Sequence, residues 1–548
     1  MNPRAIFDEL LKARGLGEPD TQARFLSPEY GRAHDPFLLP DMTIAVERLV
    51  AARRSDDHIT IYGDYDVDGM TATSVLLDAF ASFGFKKVDA FIPNRFVEGY
   101  GLTIDAVERI AETGTKLIVT VDCGSLSHKE VARANELGMD VIVTDHHNVA
   151  EIMPPALATI NPKRTDHTYP FIDLPGVGVA FKLVQALQSR LPGLEKGQEK
   201  WLLDLVALGT VCDVVTLLDE NRAHVYWGLK VMQRTRRPGL RALLAVTGSE
   251  PALITARTFG FVLGPRLNAA GRLETAQHGL DLLTTKDPAE ALKIAQKLDT
   301  MNINRRTEQN KIFEAACRQA DERMSDPVLV VSASGWSHGI VGIVAAKLLE
   351  RYQKPTFVLE EMGEEAKGSA RSYGDFSAVE AIRASDAHII KGGGHKLAAG
   401  VTMRTDKIDD FRRSVNDFYH SRSFKDQQKL LLPTAEITID DFAGANEELM
   451  DLIGQLEPFG HGNPEPIFGW KRLRVNTVRK MGDTGQHVKL ELSDANGKSM
   501  SCIAFSAPEH FYVHPDDHVD IWVQLTVNEW KGRRSTEGRL LHLEKNTF

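Results

Sequence analysis

Three acidic side chains occupy alternate positions in one short segment, YGDYDVDGMTAT, which begins at Tyr62. Asp64, Asp66 and Asp68 directly follow HITIY, an apolar run typical of a buried strand. An extended segment would point all three carboxylates the same way, because side chains alternate along a strand with a period of two. Like charges that close repel one another, and a cation removes the repulsion. The segment therefore indicates a metal site, although an isolated DxD is commonly no more than a turn.

Further acidic and imidazole side chains follow two other apolar runs. Asp122 lies in VDCG after KLIVTV, and Asp145, His146 and His147 lie in TDHHNV after DVIV. The carboxyl ends of parallel strands form one crevice, so these loops are expected to converge. Asp213, in ALGTVCDVVTL, ends an apolar helical run that could reach the same place. Such ligands suit two Mn²⁺ or Mg²⁺ ions, which would activate water and neutralise charge on a phosphoryl group.

An isolated pair of histidines is more commonly a surface or core feature than a metal site. The joint placement of the acidic and imidazole side chains after successive strands argues against that interpretation here. The elements between these motifs must therefore bring them together.

The chain around these motifs alternates strand-like and helical runs, which predicts an α/β class with a parallel, doubly wound sheet. Each predicted helix ends at a glycine suited to a left-handed cap. The predicted strands are HITIYG, KVDAFI, KLIVTVD and MDVIVTD, and the predicted helices are TATSVLLDAFASFG, TIDAVERIAETG and SHKEVARANELG. A mostly helical section follows. The glycine-free stretch 287–324 then predicts one helix roughly 55 Å long, which would join two lobes.

A second α/β unit begins at residue 327 and offers groups that bind phosphate. Its predicted strands are PVLVVSAS and TFVLEE, and its predicted helices are GIVGIVAAKLLERY and AVEAIRAS. KGSARS supplies Ser369 and Arg371, and KGGGHKLAAG supplies Gly393, Gly394 and His395. Consecutive glycines can turn backbone N–H groups towards an anion, and arginine offers a bidentate fork. Taken alone, the glycines fit a flexible turn equally well.

Beyond about residue 430 the pattern is that of strands alone, with period-two alternation in VKLEL, SMSCIAF and DIWVQLTVNEW. Basic and aromatic side chains on this stretch, Trp470 among them, suit a small barrel that stacks bases and follows phosphates. The candidates for DNA contact are Trp530, Lys531, Arg533 and Arg534. The alternative is a solvated, charged β domain whose tryptophans are structural.

The bulk composition limits the classes of function. A chain of 548 residues predicts about three domains, and a formal net charge of −10 requires any nucleic acid to be bound by a local basic track. No run of about 18 apolar residues and no signal-peptide pattern occurs, so a cytoplasmic location without a membrane partner is expected. The four cysteines stand far apart, which excludes a CxxC zinc site or a dense disulfide framework.

The motifs together resemble those of the DHH phosphoesterase superfamily. DYDVDG, VDCG, TDHH and VCD are similar to its four metal motifs, and KGGGHKLAAG is similar to the glycine-histidine loop of its DHHA1 domain. GPRLNAAGR, GWSHGIVGIVAAKL and LEPFGHGNPEPIF resemble the branch of single-stranded-DNA-specific 5′→3′ exonucleases. The resemblance covers nearly the whole chain, because DPFLLPDM near Asp35 also resembles the start of that branch.

The resemblance implies a division of the chain around a groove. It consists of an N-terminal segment (1–50), a DHH catalytic domain (51–286), a connecting helix (287–326), a DHHA1 domain (327–425) and an all-β OB-fold domain (430–548). It also implies roles for the residues quoted above. The implied metal ligands are Asp66, Asp68, Asp122, His146 and Asp213, with Asp64 as a further or neighbouring ligand. His147 would polarise the scissile phosphate or hold the leaving group, and Asp145 would orient the two histidines.

The resemblance further implies a terminal phosphate site and protein partners. Arg95, Arg266, Ser369 and Arg371 would bind the 5′-terminal phosphates, with His395 on the groove wall. Expected partners are single-stranded DNA, single-strand-binding protein and a recombinational helicase, and the chain is expected to be a monomer. One departure is Tyr62, where many members carry histidine, and it leaves the ligands of the first metal open.

Two other functions compete with exonuclease activity. Small DHH enzymes hydrolyse pyrophosphate, oligoribonucleotides or cyclic dinucleotides with the same chemistry, but their chains resemble only the part of this one before residue 430. A non-catalytic scaffold would keep the fold and lose metal carboxylates, whereas every carboxylate of the motifs is present here.

Overall fold

The computed structural model describes residues 2–99, 101–422, 424, 432–482, 485–508, 511–530 and 533–546. The chain forms two compact units. One unit comprises Asp35–Asp213 and Gly228–Leu430, and the other comprises Met1–His34, Val214–Trp227 and Leu431–Phe548. None of the described helices is long and apolar enough to cross a lipid bilayer.

Helices and strands are numbered along the chain. The helices are α1 (Pro3–Ala13), α2 (Pro19–Leu26), α3 (Met42–Ser55), α4 (Val67–Phe83), α5 (Ile104–Glu112), α6 (His128–Glu136), α7 (Gly176–Gln188), α8 (Leu203–Cys212), α9 (Asp219–Met232), α10 (Pro238–Val246), α11 (Ala256–Thr258), α12 (Gly264–Leu273), α13 (Gln277–Thr284), α14 (Pro288–Asp321), α15 (His338–Tyr352), α16 (Ala378–Ala384), α17 (Ile408–His420) and α18 (Glu447–Gly454). The strands are β1 (Ile59–Tyr62), β2 (Val88–Phe91), β3 (Leu117–Val121), β4 (Asp140–Thr144), β5 (Ala158–Ile160), β6 (Leu329–Ser334), β7 (Thr356–Met362), β8 (Glu365–Arg371), β9 (Lys391–Gly394), β10 (Ala398–Arg404), β11 (Ile437–Ile439), β12 (Phe468–Met481), β13 (His487–Ser493), β14 (Ser499–Ala504), β15 (His518–Trp530) and β16 (Arg533–Lys545).

The first sheet is parallel throughout, with strand order β2-β1-β3-β4-β5. The predicted parallel α/β arrangement is therefore confirmed, and only the short β5 was not predicted. Every residue of β1 and β3 is buried, as expected for strands covered by helices on both faces. The predicted helix ends are also confirmed, since Gly84, Gly114 and Gly138 all have positive φ. The carboxyl ends of β1, β3 and β4 lie at one edge of the sheet.

The helix α14 contains 34 residues and confirms the predicted connection between two lobes. It begins where Asp287 caps the backbone N–H of Ala289, and Pro288 occupies the first turn. At 1.5 Å per residue it is about 51 Å long. Both lobes belong to the larger unit, so contacts between their residues lie within one compact body.

The second sheet has the order β6-β7-β8-β10-β9, with β6 and β7 parallel and the remaining pairs antiparallel. The expectation of a glycine loop that turns its N–H groups towards an anion is wrong, because Gly392, Gly393 and Gly394 form β9 and pair with β10. Gly392 and Gly394 are needed for close packing, whereas a Cβ at Gly393 would meet open space. A Cβ at Gly394 would lie 2.6 Å from the Ala398 carbonyl, and one at Gly392 would lie 2.5 Å from the Ile382 side chain.

The smaller unit contains a closed barrel of β12, β13, β14, β16 and β15, with β15 pairing back onto β12. This confirms the predicted OB-type barrel. Two features were not predicted. The helix α18 interrupts the β-rich region, and α1 buries Ile6, Phe7 and Leu10 in the same core as the barrel residue Trp470.

Candidate metal centre

The acidic segment after β1 does not remain extended, so that part of the prediction is wrong. Asp66 caps α4, and its Oδ1 accepts hydrogen bonds from the backbone N–H groups of Asp68 and Gly69 at 2.9 and 3.1 Å. The chain therefore turns into a helix at Val67, and Asp68 lies in its first turn. Asp64 stays in the loop and is buried, and its Oδ1 has no hydrogen-bond partner.

Asp68 is fixed by the start of another helix, α7. Its carboxylate accepts hydrogen bonds from the backbone N–H groups of Gly176 at 2.6 Å and Val177 at 2.8 Å. These groups are among the unpaired donors at a helix N-terminus, where a negative charge is favoured. Gly176 is required here because a Cβ would lie 2.5 Å from the Cβ of Asp122. The close approach of α7 thus brings the first and second acidic motifs together.

Asp122, at the end of β3, has a left-handed backbone conformation with φ of 61°. Its side chain is buried, and its Oδ1 lies 3.1 Å from Nε2 of His146 without a hydrogen bond of good geometry. A non-glycine residue with positive φ is uncommon and is frequently found at functional sites. This conformation places the carboxylate among the other acidic groups.

His146 lies at the centre of the cluster, after β4. Its Nε2 lies 3.1 Å from Oδ1 of Asp122, 3.5 Å from Oδ2 of Asp213 and 3.9 Å from Oδ2 of Asp68. Burial and the neighbouring charge of His147 lower the pKa of His146 to about 3. The imidazole is therefore neutral at pH 7, which is the form that binds a metal.

Asp145 and His147 form a pair beside this cluster. Oδ1 of Asp145 accepts a hydrogen bond of 2.8 Å from Nδ1 of His147, and Oδ2 accepts one of 2.9 Å from the backbone N–H of Ser125. Burial opposes ionisation, but the His147 hydrogen bond and the two imidazoles hold the pKa of Asp145 well below its usual range. Burial likewise acts against the charged form of His147, yet Asp145 raises its pKa. The Asp145 carboxylate therefore favours a protonated His147 with Nδ1 fixed.

The sequence-predicted ligands all converge, in three overlapping groups whose ligand atoms lie within 4.8 Å of one another. The groups are Asp64, Asp66 and Asp122; Asp68, His146 and Asp213; and Asp122, His146 and His147. Within them, Oδ1 of Asp64, Oδ1 of Asp122 and Nε2 of His146 are buried without a hydrogen-bond partner. Buried polar atoms are rarely left in that state, so the cluster fits divalent cations bound by oxygen and imidazole.

The carboxylates are strongly destabilised as anions in the absence of a cation. Burial and then the charge of Asp66 raise the pKa of Asp68 to about 7. Burial and then Asp68 raise the pKa of Asp213 to about 9. The pKa values of Asp64 and Asp122 are raised well above the usual range for the same two kinds of reason. A cation would remove both the repulsion and the cost of burial.

Tyr62 does not face the metal cluster. Its ring belongs to the apolar core of the sheet and stacks on Phe91 at 5.1 Å, and its hydroxyl donates to the carbonyl of Gly101 at 2.9 Å. The residue that departs from the superfamily pattern therefore contributes no ligand. Asp64, the further ligand that the resemblance implies, lies in the group with Asp66 and Asp122.

Among the predicted phosphate-binding residues, Arg95 lies close to the acidic cluster. The guanidinium of Arg95 lies 4.1 Å from the centre of the ring of Tyr65, the residue between Asp64 and Asp66 in the sequence. The buried Nε of Arg95 has no hydrogen-bond partner. A Cβ on Gly342 of α15 would lie 3.2 Å from Oγ of Ser369 and 3.3 Å from a terminal nitrogen of Arg371, so these two β8 side chains face that helix. Arg95 of the first lobe thus lies near the carboxylates, and Ser369 and Arg371 of the second lobe lie against α15.

Two further arginines belong to this set and were missed by sequence reasoning. Burial and the neighbouring charges of Arg95 and Arg305 lower the pKa of Arg272 to about 10, so the three guanidinium groups lie near one another. Among the described residues, no carboxylate forms an ion pair with Arg95, Arg272, Arg305 or Arg371. Arg272 stood in GPRLNAAGR and could have been considered, whereas Arg305 lies on the polar face of α14 without any local signal.

Other predicted phosphate ligands are placed differently. Arg266 forms an ion pair of 2.8 Å with Asp299 of α14 and donates to the carbonyl of Val262, so its guanidinium is already engaged. Gly393, Gly394 and His395 are exposed at the edge of the second sheet. The face of that sheet lines a cavity of about 400 Å³. The cavity is lined by His338, Lys367, Gly368, Ser369, Lys391, Gly392, Gly393, Gly400, Val401 and Thr402.

The predicted contacts of the barrel can be placed only in part. Lys531 lies outside the described residues, and for Trp530 and Arg533 only the backbone, which pairs β15 with β16, is described. Arg534 is exposed on β16. Trp470 is buried, and its Nε1 donates to the carbonyl of Asp441, so this tryptophan is structural.

Comparisons with known proteins agree with this arrangement. Residues 58–210 match the N-terminal domain of the DHH family, residues 325–421 match the DHHA1 domain, and residues 435–542 match the RecJ OB domain. The chain is 37% identical over 534 residues to the single-stranded-DNA-specific exonuclease RecJ of Dickeya dadantii (strain 3937), which covers 93% of this chain and 91% of that protein. It is 36% identical over 536 residues to the RecJ of Bacillus subtilis (strain 168), but spans only 66% of that protein's length.

Solved structures of RecJ proteins are also similar to this chain. The crystal structure of RecJ in complex with Mn²⁺ from Thermus thermophilus superposes with a TM-score of 0.85 at 29% identity, covering 99% of this chain and 76% of that one. The Mg²⁺ complex of the same protein superposes with a TM-score of 0.78.

Proposed function

Because the chain belongs to the RecJ family of single-stranded-DNA-specific exonucleases, we propose that it hydrolyses single-stranded DNA from the 5′ end and releases 5′-mononucleotides, in DNA recombination and repair. The match of residues 58–210 to the N-terminal domain of the DHH family confirms the resemblance to the DHH superfamily. The observation that carries the proposal is that two groups of opposite charge lie side by side in the larger unit. A buried cluster of carboxylates with unpaired ligand atoms lies beside arginines that have no carboxylate partner.

The acidic cluster is the proposed catalytic centre, with Mn²⁺ or Mg²⁺ as the cofactor. Asp64, Asp66 and Asp122 would hold one cation, and Asp68, His146 and Asp213 would hold the other. When bound, the two cations supply an activated water and neutralise the charge that develops on the phosphoryl group. The mutual repulsion of the carboxylates supports metal binding, because holding these ionised groups together without a cation would raise the free energy of the folded chain.

His147 and Asp145 supply the proton chemistry of the proposed reaction. His147 is partly exposed at the edge of the cluster, and Asp145 fixes its Nδ1 and favours the protonated ring. A charged imidazole in this position can donate a hydrogen bond to a phosphoryl oxygen or to the departing oxygen. Asp145 is a positioning residue, since its carboxylate is occupied by His147, the backbone of the His pair and Ser125.

The arginine cluster is the proposed site of the 5′-terminal phosphate. Arg95, Ser369 and Arg371 would contact it, with Arg272 and Arg305 adding positive potential from behind. Burying several guanidinium groups near one another is unfavourable unless an anion offsets their charge. The cavity over the second sheet, with Lys367 and Lys391 on its lining, would accommodate the following part of the strand.

The barrel is the proposed second contact with single-stranded DNA. Exposed Arg479, Lys480 and Arg534 support this role, whereas the buried Trp470 does not. Single-strand-binding protein and a recombinational helicase as partners, a monomeric state and a cytoplasmic location remain proposals from the resemblance. So do the domain boundaries at 1–50, 51–286, 287–326, 327–425 and 430–548.

The proposed function is tested by digestion of end-labelled single-stranded DNA, with and without a 5′-phosphate, in Mn²⁺, Mg²⁺ or EDTA. The intact chain should release labelled 5′-mononucleotide only with a divalent cation, and Asp122→Ala should release none. A dinucleotide substrate should also be assayed at the same enzyme concentration. Hydrolysis of the dinucleotide with no degradation of long strands would favour a small-substrate DHH phosphodiesterase instead. Nuclease activity retained in Asp122→Ala would place the active site elsewhere.

A further inference from the structure

One loop of the first lobe reaches the second lobe next to the proposed phosphate site. The ring of Phe96 contacts the imidazole of His338 edge-on, with centroids 5.0 Å apart and an interplanar angle of 72°. A Cβ on Gly339 would lie 3.3 Å from Cζ of Phe96 and 2.4 Å from the carbonyl oxygen of Arg272. The first turn of α15 is therefore packed against two segments of the opposite lobe without room for a methyl group.

Polar contacts hold the same junction. Arg272 donates a hydrogen bond of 3.0 Å to the carbonyl of Gly339, and Asn94 donates one of 3.3 Å to the carbonyl of Glu274. The backbone of the preceding loop is itself ordered, because Oδ1 of Asn94 accepts from the N–H of Phe96 at 2.9 Å. Glu98 accepts from the N–H of Asn94 at 2.7 Å and pairs with Arg109. Phe96 is thus presented by a braced turn rather than by a loose loop.

This junction adjoins the arginine cluster, because Arg272 of that cluster contacts Gly339. Arg95, which stacks on Tyr65 next to Asp64 and Asp66, immediately precedes Phe96. Gly342, which faces Ser369 and Arg371, lies one turn after His338 and Gly339 on α15. A phosphate bound by Arg95, Ser369 and Arg371 would therefore lie next to the contact between Phe96 and the first turn of α15.

We propose that Phe96, packed on the first turn of α15, closes the groove beyond the terminal phosphate and so restricts the enzyme to free ends and to one nucleotide per cleavage. The inference rests on the proposed function and adds a specificity-determining residue to it. A strand that continued past the phosphate site would have to separate Phe96 from His338 and Gly339. The metals and the arginines alone do not exclude a continuous strand, because an internal phosphodiester is also an anion, although it carries less negative charge than a terminal phosphate.

The test uses the full chain with Phe96→Ala, which removes the ring, and Phe96→Leu, which keeps most of its volume. Val97→Ala is the matched control, since Val97 is the next residue and is 79% exposed. Each variant is given 5′-labelled linear DNA and circular single-stranded DNA with Mn²⁺. The intact chain, Phe96→Leu and Val97→Ala should release labelled mononucleotide and leave the circle intact. Phe96→Ala should release labelled di- and trinucleotides and cut the circle.

An active Phe96→Ala that releases only mononucleotides and leaves the circle intact would overturn the inference. Binding gives a second measurement that does not require turnover. With Asp122→Ala as background, a 5′-phosphorylated linear strand should bind about tenfold more tightly than a circle of equal length, as expected for charged hydrogen bonds to the terminal phosphate. Adding Phe96→Ala should reduce that ratio, and an unchanged ratio would also overturn the inference. If the intact chain degrades no linear DNA, the proposed function fails, whatever the ratio is.

Discussion

Replacing Asp68 by asparagine should stabilise the metal-free protein at pH 8 and have little effect on its stability at pH 5. Burial and Asp66 raise the pKa of Asp68 from 3.8 to about 7 in the folded chain. The folded state then binds more protons than the unfolded state between these pH values, so stability falls as the pH rises through this window. A rise of about three pKa units corresponds to about 4 kcal/mol at pH 8.

Asparagine removes this loss but has one acceptor oxygen for the two N–H groups of Gly176 and Val177. The lost hydrogen bond costs about 1 to 2 kcal/mol at any pH. Metal-free Asp68→Asn should therefore be about 2 to 3 kcal/mol more stable than the parent at pH 8. At pH 5 the parent has lost only about 2 kcal/mol, so the two effects should nearly cancel and the two proteins should be about equally stable. The assay is urea denaturation in EDTA, followed at the transition that Mn²⁺ shifts in the parent.

The same reasoning predicts how the cation stabilises the parent chain. Mn²⁺ binds ionised carboxylates, so its stabilising effect should be larger at pH 8 than at pH 5 and should be reduced in Asp68→Asn. Loss of stability in metal-free Asp68→Asn by the same amount at both pH values would refute the reasoning. So would a Mn²⁺ effect in the parent that does not depend on pH.

Three other variants test separate parts of the account. Asp145→Asn should lower kcat by about 10- to 100-fold, and because Asp145 raises the pKa of His147, the alkaline limb of the kcat profile should move to lower pH. An unmoved limb would remove His147 as the titrating group. Arg371→Ala should raise KM for 5′-phosphorylated DNA by about 10- to 100-fold and hardly affect 5′-hydroxyl DNA, whereas Arg413→Ala, at an exposed arginine of the same lobe, should do neither. Equal losses on both substrates would contradict the phosphate site. Arg479→Gln with Lys480→Gln should weaken binding of long strands and reduce the salt slope by about 1.4, as for two phosphate contacts. An unchanged slope would exclude these residues from the DNA contact.

The barrel is better tested by such point changes than by truncation near residue 430. Ile6, Phe7 and Leu10 of α1 are buried in the core of the barrel unit. Removal of the barrel would expose these side chains to water. A loss of DNA binding in that truncated chain would then not distinguish lost contacts from lost stability.

The convergence of the candidate metal ligands could be predicted from the sequence because it depends on a general property of parallel sheets. Asp122 directly follows β3, His146 comes two residues after the end of β4, and the ends of parallel strands meet at one edge. The local geometry of the first motif could not be predicted in the same way. An alternating DxDxD pattern fits an extended segment, but the N-cap hydrogen bonds of Asp66 favour a helix at Val67.

The misplaced features depend on contacts between residues distant in sequence. KGGGHK has the composition of a loop, yet β9 forms because β10 offers a pairing edge and α16 leaves no room for a side chain at Gly392. Arg305 lies on a polar helix face, and only the packing of the lobes brings it near Arg272. Trp470 was one of several tryptophans in a basic region, and its burial depends on α1 and α18, which the β pattern did not predict.

The central claim is that two divalent cations occupy the convergent carboxylate and imidazole cluster. The most direct measurement is anomalous scattering from crystals of the full chain soaked in Mn²⁺, with data collected at the manganese absorption edge. Two peaks are predicted, one contacted by Asp64, Asp66 and Asp122 and the other by Asp68, His146 and Asp213. No peak at the cluster while manganese is bound elsewhere in the chain would contradict the account.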